Sequence, residues 1–451
     1  MFKKITNGCV AVVQRFLPDA FLFAVILTFI VLLLGIFVTG QGLTDMIGHW
    51  NNGFWELLGF SMQMVLVLVT GNAMATAPVF KKGLGKLASI PKKPTQAIYL
   101  VTLVGIIACW INWGFGLIIG ALFAKEIAKK VKGVDYRLLI ASAYSGFLVW
   151  HGGFSGSIPL KLASGGDKLA NETMNAVTEA IPTTETIFSP LNIFIVVAIL
   201  IIIPLINRAM HPKKEDTISI DPELLEQEAK EELTATKAMT PAEKMENSRV
   251  FTILLSIMGV MAIVLYFKDN GFKLTLNFVN FIFLFVGIIL HGTPKRYIEA
   301  VFNAVKGTSG IVLQFPFYAG IMGMMKGINP ETGKCLAGVI SNGFVSISNQ
   351  TTLPVFSFLS AGIVNFFVPS GGGQWAVQAP IMMPAGLDLQ VSAAKTAMAI
   401  SWGDAWTNMI QPFWALPALG IAGLNARDIM GFCVMDLLIG GLIIVAGFLI
   451  F

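Results

Sequence analysis

Eleven apolar segments follow one another along this chain, at about 20–38, 54–80, 97–124, 138–160, 190–206, 250–267, 274–291, 308–325, 354–385, 394–422 and 430–451. A helix needs about 20 apolar residues to cross the hydrocarbon core of a bilayer. The succession therefore predicts an all-α polytopic membrane protein. Composition agrees, with 55% hydrophobic and 13% charged residues, against about 45–50% and about 25% in a soluble domain. Soluble enzymes, fibres and nucleic-acid modules are excluded as descriptions of the whole. Cys9, Cys109, Cys335 and Cys433 lie far apart with no CxxC or Cys/His spacing, so neither a disulfide framework nor a zinc site is supported. Lys3 and Lys4 precede the run 20–38. That run is too long for a signal-peptide core and has no small-residue cleavage site after it, so it reads as a retained first membrane helix.

Two segments have the wrong length for a single crossing. Segment 97–124 has 28 residues and Trp110-Ile111-Asn112-Trp113-Gly114-Phe115-Gly116 at its middle; segment 354–385 has 32 and Val368-Pro369-Ser370-Gly371-Gly372-Gly373-Gln374-Trp375. Clusters of Pro and Gly break helices. Lys81, Lys82, Lys86, Lys92 and Lys93 precede the first segment, and Lys125, Lys129, Lys130, Lys132 and Arg137 follow it. Basic residues at helix ends mark the cytoplasmic side, so 97–124 is predicted to enter and return as a re-entrant hairpin with its apex near Asn112. The alternative, one long tilted helix, would place the basic run 125–137 and the loop 207–249 outside. With 354–385 also a hairpin, nine crossings and two hairpins put 24 of the 31 Lys and Arg inside. The N-terminus is then cytoplasmic and the C-terminus lies on the outer side.

Residues 207–249 form the only long polar stretch, with ten acidic and seven basic residues. They read as a cytoplasmic linker, with a short polar helix conceivable over Pro222–Lys237. The linker divides a first membrane repeat, 1–206, from a linking helix and second repeat, 250–451. A shift of 258 residues aligns Arg137 with Lys395, Ala141 with Ala399, Tyr144 with Trp402 and Pro159 with Pro417. Both halves share an order: two crossings, a glycine-tipped hairpin, an interrupted helix (138–160 or 394–422) and a final helix. The second half starts outside, inverted relative to the first. Inverted repeats with broken helices are the architecture of many secondary transporters.

The interrupted helices contain Trp150-His151-Gly152-Gly153-Phe154-Ser155-Gly156-Ser157-Ile158-Pro159 and Trp402-Gly403-Asp404-Ala405-Trp406-Thr407-Asn408-Met409-Ile410-Gln411-Pro412. Backbone freed by such breaks is tolerated in a membrane only when buried in protein or lining a wet cavity. Half-helix N-termini can hold an anion, and freed carbonyls can ligate a cation. Glycine-mediated helix packing accounts for any one of these motifs alone; four at repeat-related positions predict a binding site. No Lys or Arg falls within the four quoted strings, so a small, singly charged anion is expected rather than a dicarboxylate. Seven Trp, at 110, 113, 150, 375, 402, 406 and 414, fall in or beside the broken segments, which suits an aromatic-walled pocket for a short-chain carboxylate. The anion is expected against Gly114, Ser155, Ser157, Ser370, Gly372 and Gln374. Asn112, Trp113, His151, Gly156, Gly371, Gly373, Trp375 and Asn408 complete that pocket.

A coupling cation is expected at Asn112, Gly114, Gly152 and Ser155 near the first tip. Near the second tip, Ser370, Gly373, Gly403, Asp404, Thr407 and Asn408 offer oxygens. Neutral oxygens favour Na⁺, whereas H⁺ coupling would use Asp404 or His151, the titratable residues nearest the middle of a predicted span. Asp436 lies nearer the cytoplasmic end of the last helix and reads as structural. No transition-metal site or organic cofactor is expected. His151-Gly152-Gly153 and Gly153-Phe154-Ser155-Gly156-Ser157 approach esterase motifs, but a nucleophile elbow needs a strand-to-helix turn. A phosphate loop of the G-x-x-x-x-G-K-[ST] kind is missing too, which argues against ATP-driven transport.

The strings HGGFSGSIPLKLA (151–163), NFFVPSGGGQWAVQAPIMMPA (365–385) and SWGDAWTNMIQPFWALPALG (401–420) closely resemble the bacterial short-chain fatty acid transporter family of the AtoE type, within the ion transporter superfamily. The resemblance runs along nearly the whole chain, and PSGGGQW is its most specific string. It implies a homodimer in the bacterial inner membrane, each protomer with a scaffold and a moving transport domain of elevator type. It also implies cation-coupled uptake or exchange of acids such as acetate, butyrate or acetoacetate. A passive channel for small anions, or a carrier for dicarboxylates or amino acids, are the alternatives.

Overall fold

A computed structural model describes residues 2–219, 240–271 and 275–451. The polar helix conceivable over Pro222–Lys237 lies outside the described residues. Among those residues every element is helical and no strand occurs. The chain begins with α1 (Phe2–Phe16), α2 (Ala20–Thr39), α3 (Leu43–Gly53), α4 (Leu58–Thr76) and α5 (Pro78–Leu87). Asp19 starts α2 by accepting from the Phe21 N–H at 2.9 Å, and Gly40 ends it in the left-handed region, φ 69°. The apolar run 54–80 is not one helix. Ala77, held extended ahead of Pro78, separates α4 from α5, as the residue before a proline disfavours helix.

The first odd segment folds back on itself. Helices α6 (Pro94–Ile111) and α7 (Trp113–Lys130) are joined through the single extended residue Asn112. Gly116 lies so close to Cys109 that a Cβ there would sit 2.5 Å from the cysteine sulfur. Gly105 and Gly120 both rest on Ala143, which fixes the arms as antiparallel. Lys130 at the end of α7 donates from Nζ to the Gly85 carbonyl at 2.6 Å. Both lysine-rich flanks therefore lie at one end of the hairpin. Each arm has 18 residues, about 27 Å at ~1.5 Å per residue. The hairpin is longer than its apolar run because the lysine-bearing last turn stays helical.

Beyond it come α8 (Tyr136–Tyr144), a 3₁₀ stretch (Ser145–Gly152), α9 (Ser157–Ser164), α10 (Asp167–Glu172) and α11 (Pro190–Met210). The expected interruption of 138–160 is present, but regular helix is already lost at Ser145. The second part contains α12 (Pro241–Glu246), α13 (Arg249–Asn270), α14 (Leu276–His291), α15 (Pro294–Val305), α16 (Ser309–Lys326) and α17 (Leu336–Ser346). It continues with α18 (Leu353–Phe367), α19 (Gly371–Asp388), α20 (Ala393–Thr407), α21 (Pro412–Ala422) and α22 (Ala426–Ile450). Among the described residues, six helices are long and apolar enough to cross a bilayer, with α12 and α13 counted as one. In both parts the first hairpin arm lies along the broken helix: α6 on α8 and the 3₁₀ stretch, α18 on α20. Gly362 and Gly403 allow the second contact, the latter pressing on the Phe358 carbonyl.

Candidate functional site

The first tip is built by one residue's failure to stay helical. Asn112, 4% exposed, takes φ −154° and ψ 120° and caps α7 by accepting from the Phe115 N–H at 3.0 Å. The loop ending the 3₁₀ stretch docks on this tip. The Trp113 N–H donates to Ser155 Oγ at 2.9 Å, the Phe154 N–H to the Trp110 carbonyl at 2.9 Å, and Trp110 Nε1 to the Gly152 carbonyl at 3.1 Å. Gly153 is required here, since any Cβ would strike the Trp110 carbonyl. The Gly152 carbonyl also accepts from Asn192 Nδ2 at 2.9 Å. Both its lone pairs are used, which leaves none for a cation in this arrangement.

The second tip has the same form 258 residues later. Ser370 takes φ −154° and ψ 111°, and its Oγ accepts from the Gly373 N–H at 3.3 Å. This tip meets the 151–157 loop from the other side: a Cβ on Gly371 would lie 2.6 Å from His151 Nε2 and 3.1 Å from Ser157 Oγ. The loop is thus held between the two tips. His151 is fully buried, and its Nδ1 lies 2.9 Å from the Ser401 carbonyl. A carbonyl can only accept, so Nδ1 carries the proton. Nε2 lies beside Gly371, with no protein partner among the described residues. Gly372 has open space beside it, whereas Gly373 packs on Met322. Gln374 donates from Nε2 to the Ala361 carbonyl at 2.8 Å and to Gln378 Oε1 at 2.9 Å, which turns it into the hairpin rather than out of it.

A cavity of about 190 Å³ lies at the first tip, lined by Asn112, Trp113, Ser155, Ser157, Leu160, Thr275 and Leu276. Gly114 borders it, 3.2 Å from Leu276 as measured to a Cβ placed there. The volume admits several waters, enough room for a short-chain carboxylate. A larger cavity of about 340 Å³, between the 176–185 loop and the start of α20, includes no tip residue. Leu160, Thr275 and Leu276 carry no sequence signal that marks them as lining residues. The tryptophans divide in two. Trp113, Trp150 and Trp414 pack together, with centroids 5.1–6.0 Å apart, beside the tip. Trp110, Trp375, Trp402 and Trp406 instead act as struts, their indole N–H groups donating to the Gly152 carbonyl, Glu172, Asn192 and the Leu437 carbonyl.

The second break forms a separate polar cluster. Asn365 Nδ2 donates to the Asp404 carbonyl at 2.8 Å, Thr407 Oγ1 at 3.0 Å and Asn408 Oδ1 at 2.8 Å. Asp404 is fully buried, and neither carboxylate oxygen has a hydrogen-bond partner among the described residues. The Tyr144 hydroxyl donates to the Asn408 carbonyl at 2.6 Å. Asn365 escaped the sequence reading, although a lone amide in an apolar run was the available signal. Asp436 is a second fully buried carboxylate whose oxygens have no partner among the described residues. The structure therefore brings Asn112, Trp113, His151, Ser155, Ser157 and Gly371 to one place. It gathers Asp404, Thr407 and Asn408 around Asn365 at another, and Gly156 closes the loop against the His151 carbonyl.

Apolar helices of spanning length folded around buried, broken, polar segments define a multi-pass membrane transporter. The chain belongs to the short-chain fatty acid transporter family, whose sequence profile, Short chain fatty acid transporter, matches residues 1–451. It is 46% identical over 449 residues to a Haemophilus influenzae protein, covering 99% of both chains. It is 45% identical over 451 residues to one from Escherichia coli, covering 100% of both. Both relatives are provisionally named short-chain fatty acid transporters. The chain is also similar to the YdaH transporter of Alcanivorax borkumensis at 17% identity and a TM-score of 0.43, covering 96% of this chain and 97% of that one. It is a transporter, not an enzyme.

Proposed function

We propose that this protein is a secondary active symporter that moves short-chain monocarboxylates such as butyrate, acetate or acetoacetate by alternating access. The observation that carries the reading is the small cavity at the first tip. Hydroxyl and amide groups and the N-terminal end of α7 border it, and among the described residues no Lys or Arg lines it. A helix N-terminus and hydroxyl donors favour one negative charge, and Trp113, Leu160 and Leu276 supply an apolar wall for a short alkyl chain. The second tip, starting α19 beside His151 and Ser157, brings a second helix N-terminus to the same loop. On this reading both hairpins are re-entrant and the halves are inverted repeats, with the N-terminus inside and the C-terminus outside the bacterial inner membrane. A homodimer with a moving transport domain of elevator type is part of the same proposal.

Na⁺ is the proposed coupling ion. The Asp404 carbonyl, Thr407 Oγ1 and Asn408 Oδ1 converge on the Asn365 amide group. The oxygens left over for a cation beside this cluster are Asn365 Oδ1 and both carboxylate oxygens of Asp404, buried without a hydrogen-bond partner among the described residues, a hard-oxygen set suited to a hard cation. Counterflow in proteoliposomes tests the transport mode: unlabelled butyrate inside should accelerate entry of labelled butyrate. A channel would show no such stimulation, and that result would remove the carrier reading.

A further inference from the structure

We infer that Glu172 is a positioning residue that fixes the tip of the second hairpin against the 151–157 loop, acting through the indole of Trp375. This rests on the reading of that tip as part of the transport site. Trp375 lies one turn into α19, shortly after Gly371, the glycine that meets His151 and Ser157, and it is fully buried. Its Nε1 donates to Glu172 Oε2 at 2.8 Å. Lys161 Nζ lies 3.0 Å from both carboxylate oxygens of Glu172. Lys161 stands one turn after Ser157 on α9, so the same short helix carries a loop residue at one end and the cation of this triad at the other.

The surrounding packing makes the triad a clamp. Ile158 and Leu162 of α9 and Leu169 of α10 share one buried apolar cluster with Trp375, Ala379, Met382 and Met383 of α19. That cluster is distinct from the main core. The Ile181 N–H donates to the Leu162 carbonyl at 2.9 Å, and the Val177 N–H to Thr173 Oγ1 at 3.1 Å, closing the segment after α10 back onto α9. A compact cap from the first half thus grips a hairpin of the second. The hydrogen bond from Trp375 to Glu172 is its one charge-assisted link to that hairpin among the described residues. The Lys161 ammonium is committed to Glu172.

The test uses full-length protein in detergent, with the four native cysteines replaced by alanine and a single cysteine at Gly372, where a side chain meets open space. Its rate of reaction with a small methanethiosulfonate reagent reports how far the tip opens. Glu172→Ala should speed labelling roughly tenfold or more, the equilibrium weight of one charge-assisted hydrogen bond. Trp375→Phe, which removes only the donor, should do the same. The double variant should be no faster than either single one, and Glu172→Gln, which keeps an acceptor oxygen, should stay near the parent rate. Unchanged labelling in both single variants, multiplying effects in the double, or a Gln variant as fast as the Ala variant would each overturn the inference. The butyrate KM, measured with Gly372 intact, separates the two proposals. Faster labelling with an unchanged KM would leave Glu172 its positioning role and remove the substrate from the tip.

Discussion

Adding one methyl group at Gly371 is the sharpest perturbation of the contact between the second tip and the loop. A Cβ there would lie 2.6 Å from His151 Nε2, 2.8 Å from His151 Cε1 and 3.1 Å from Ser157 Oγ. The ring cannot yield cheaply, because it is fully buried and tied to the Ser401 carbonyl at 2.9 Å. Overpacking of this kind costs about 1–3 kcal/mol. Alanine's helix propensity returns at most ~1 kcal/mol at a helical position and less at the first residue of α19, so the clash wins. If the closed contact forms part of substrate binding, Gly371→Ala should raise the butyrate KM by roughly 5- to 150-fold, at about 1.4 kcal/mol per tenfold. Gly372→Ala is the control, because nothing lies within 4 Å of its Cβ; it should leave thermal stability in detergent unchanged. Radiolabelled butyrate uptake into proteoliposomes over a concentration series gives KM. A Gly371→Ala protein with parental KM and parental thermal stability would refute the reasoning.

Three further outcomes are expected. Gly372→Val fits the fold but fills the open space before the tip, so butyrate uptake should fall in a protein of normal stability; unchanged uptake and affinity would move the anion elsewhere. Single cysteines replacing Ser89 and Lys132 should both react only with reagent on the cytoplasmic face, whereas outside labelling at position 132 would make 97–124 a crossing. Burial pulls His211 below its ordinary pKa, outweighing the upward pulls of the Pro212 carbonyl and of Asp135; its neutral Nε2 accepts from the Asp135 N–H at 3.2 Å. A lowered folded-state pKa means stability present above about 6.5 and lost as pH falls below it. Thermal unfolding from pH 8 to 5 should then fall less steeply in His211→Gln, and parallel curves would contradict this.

Much of the architecture was written in local chemistry. Lysines on both sides of 97–124 required its ends to meet, and Lys130 does reach back to Gly85. Asn112 was legible as the apex from the glycine-containing break around it, midway between the two lysine-rich flanks; that its side chain caps the returning helix became visible only in the structure. Other parts left no such trace. The helix α15 alternates apolar residues with Lys295, Arg296 and Glu299, so a search for unbroken apolar runs passes over it, as it does the short α17. Asn365 gains meaning only when α18 lies along α20, a contact between residues some 40 positions apart. Glu172 ends the short α10 in a polar stretch between apolar segments, and only the tertiary fold shows that its partner is Trp375, 203 residues away. The tryptophans were read as walls by their clustering in sequence; for four of the seven the indole N–H is instead tied to an acceptor elsewhere in the fold, a pairing that usually accompanies burial of the donor.

Uptake of radiolabelled butyrate with the two cation gradients imposed separately tests the central claim most directly. Proteoliposomes receive either an inward Na⁺ gradient at equal pH or an inward proton gradient without Na⁺. The account expects transient accumulation above equilibrium with the Na⁺ gradient, little with the pH gradient, and a weakened but surviving Na⁺ dependence in Asp404→Asn, whose amide oxygen can still coordinate. Accumulation that ignores Na⁺, follows the pH gradient and vanishes in Asp404→Asn would make Asp404 a proton carrier and contradict the account.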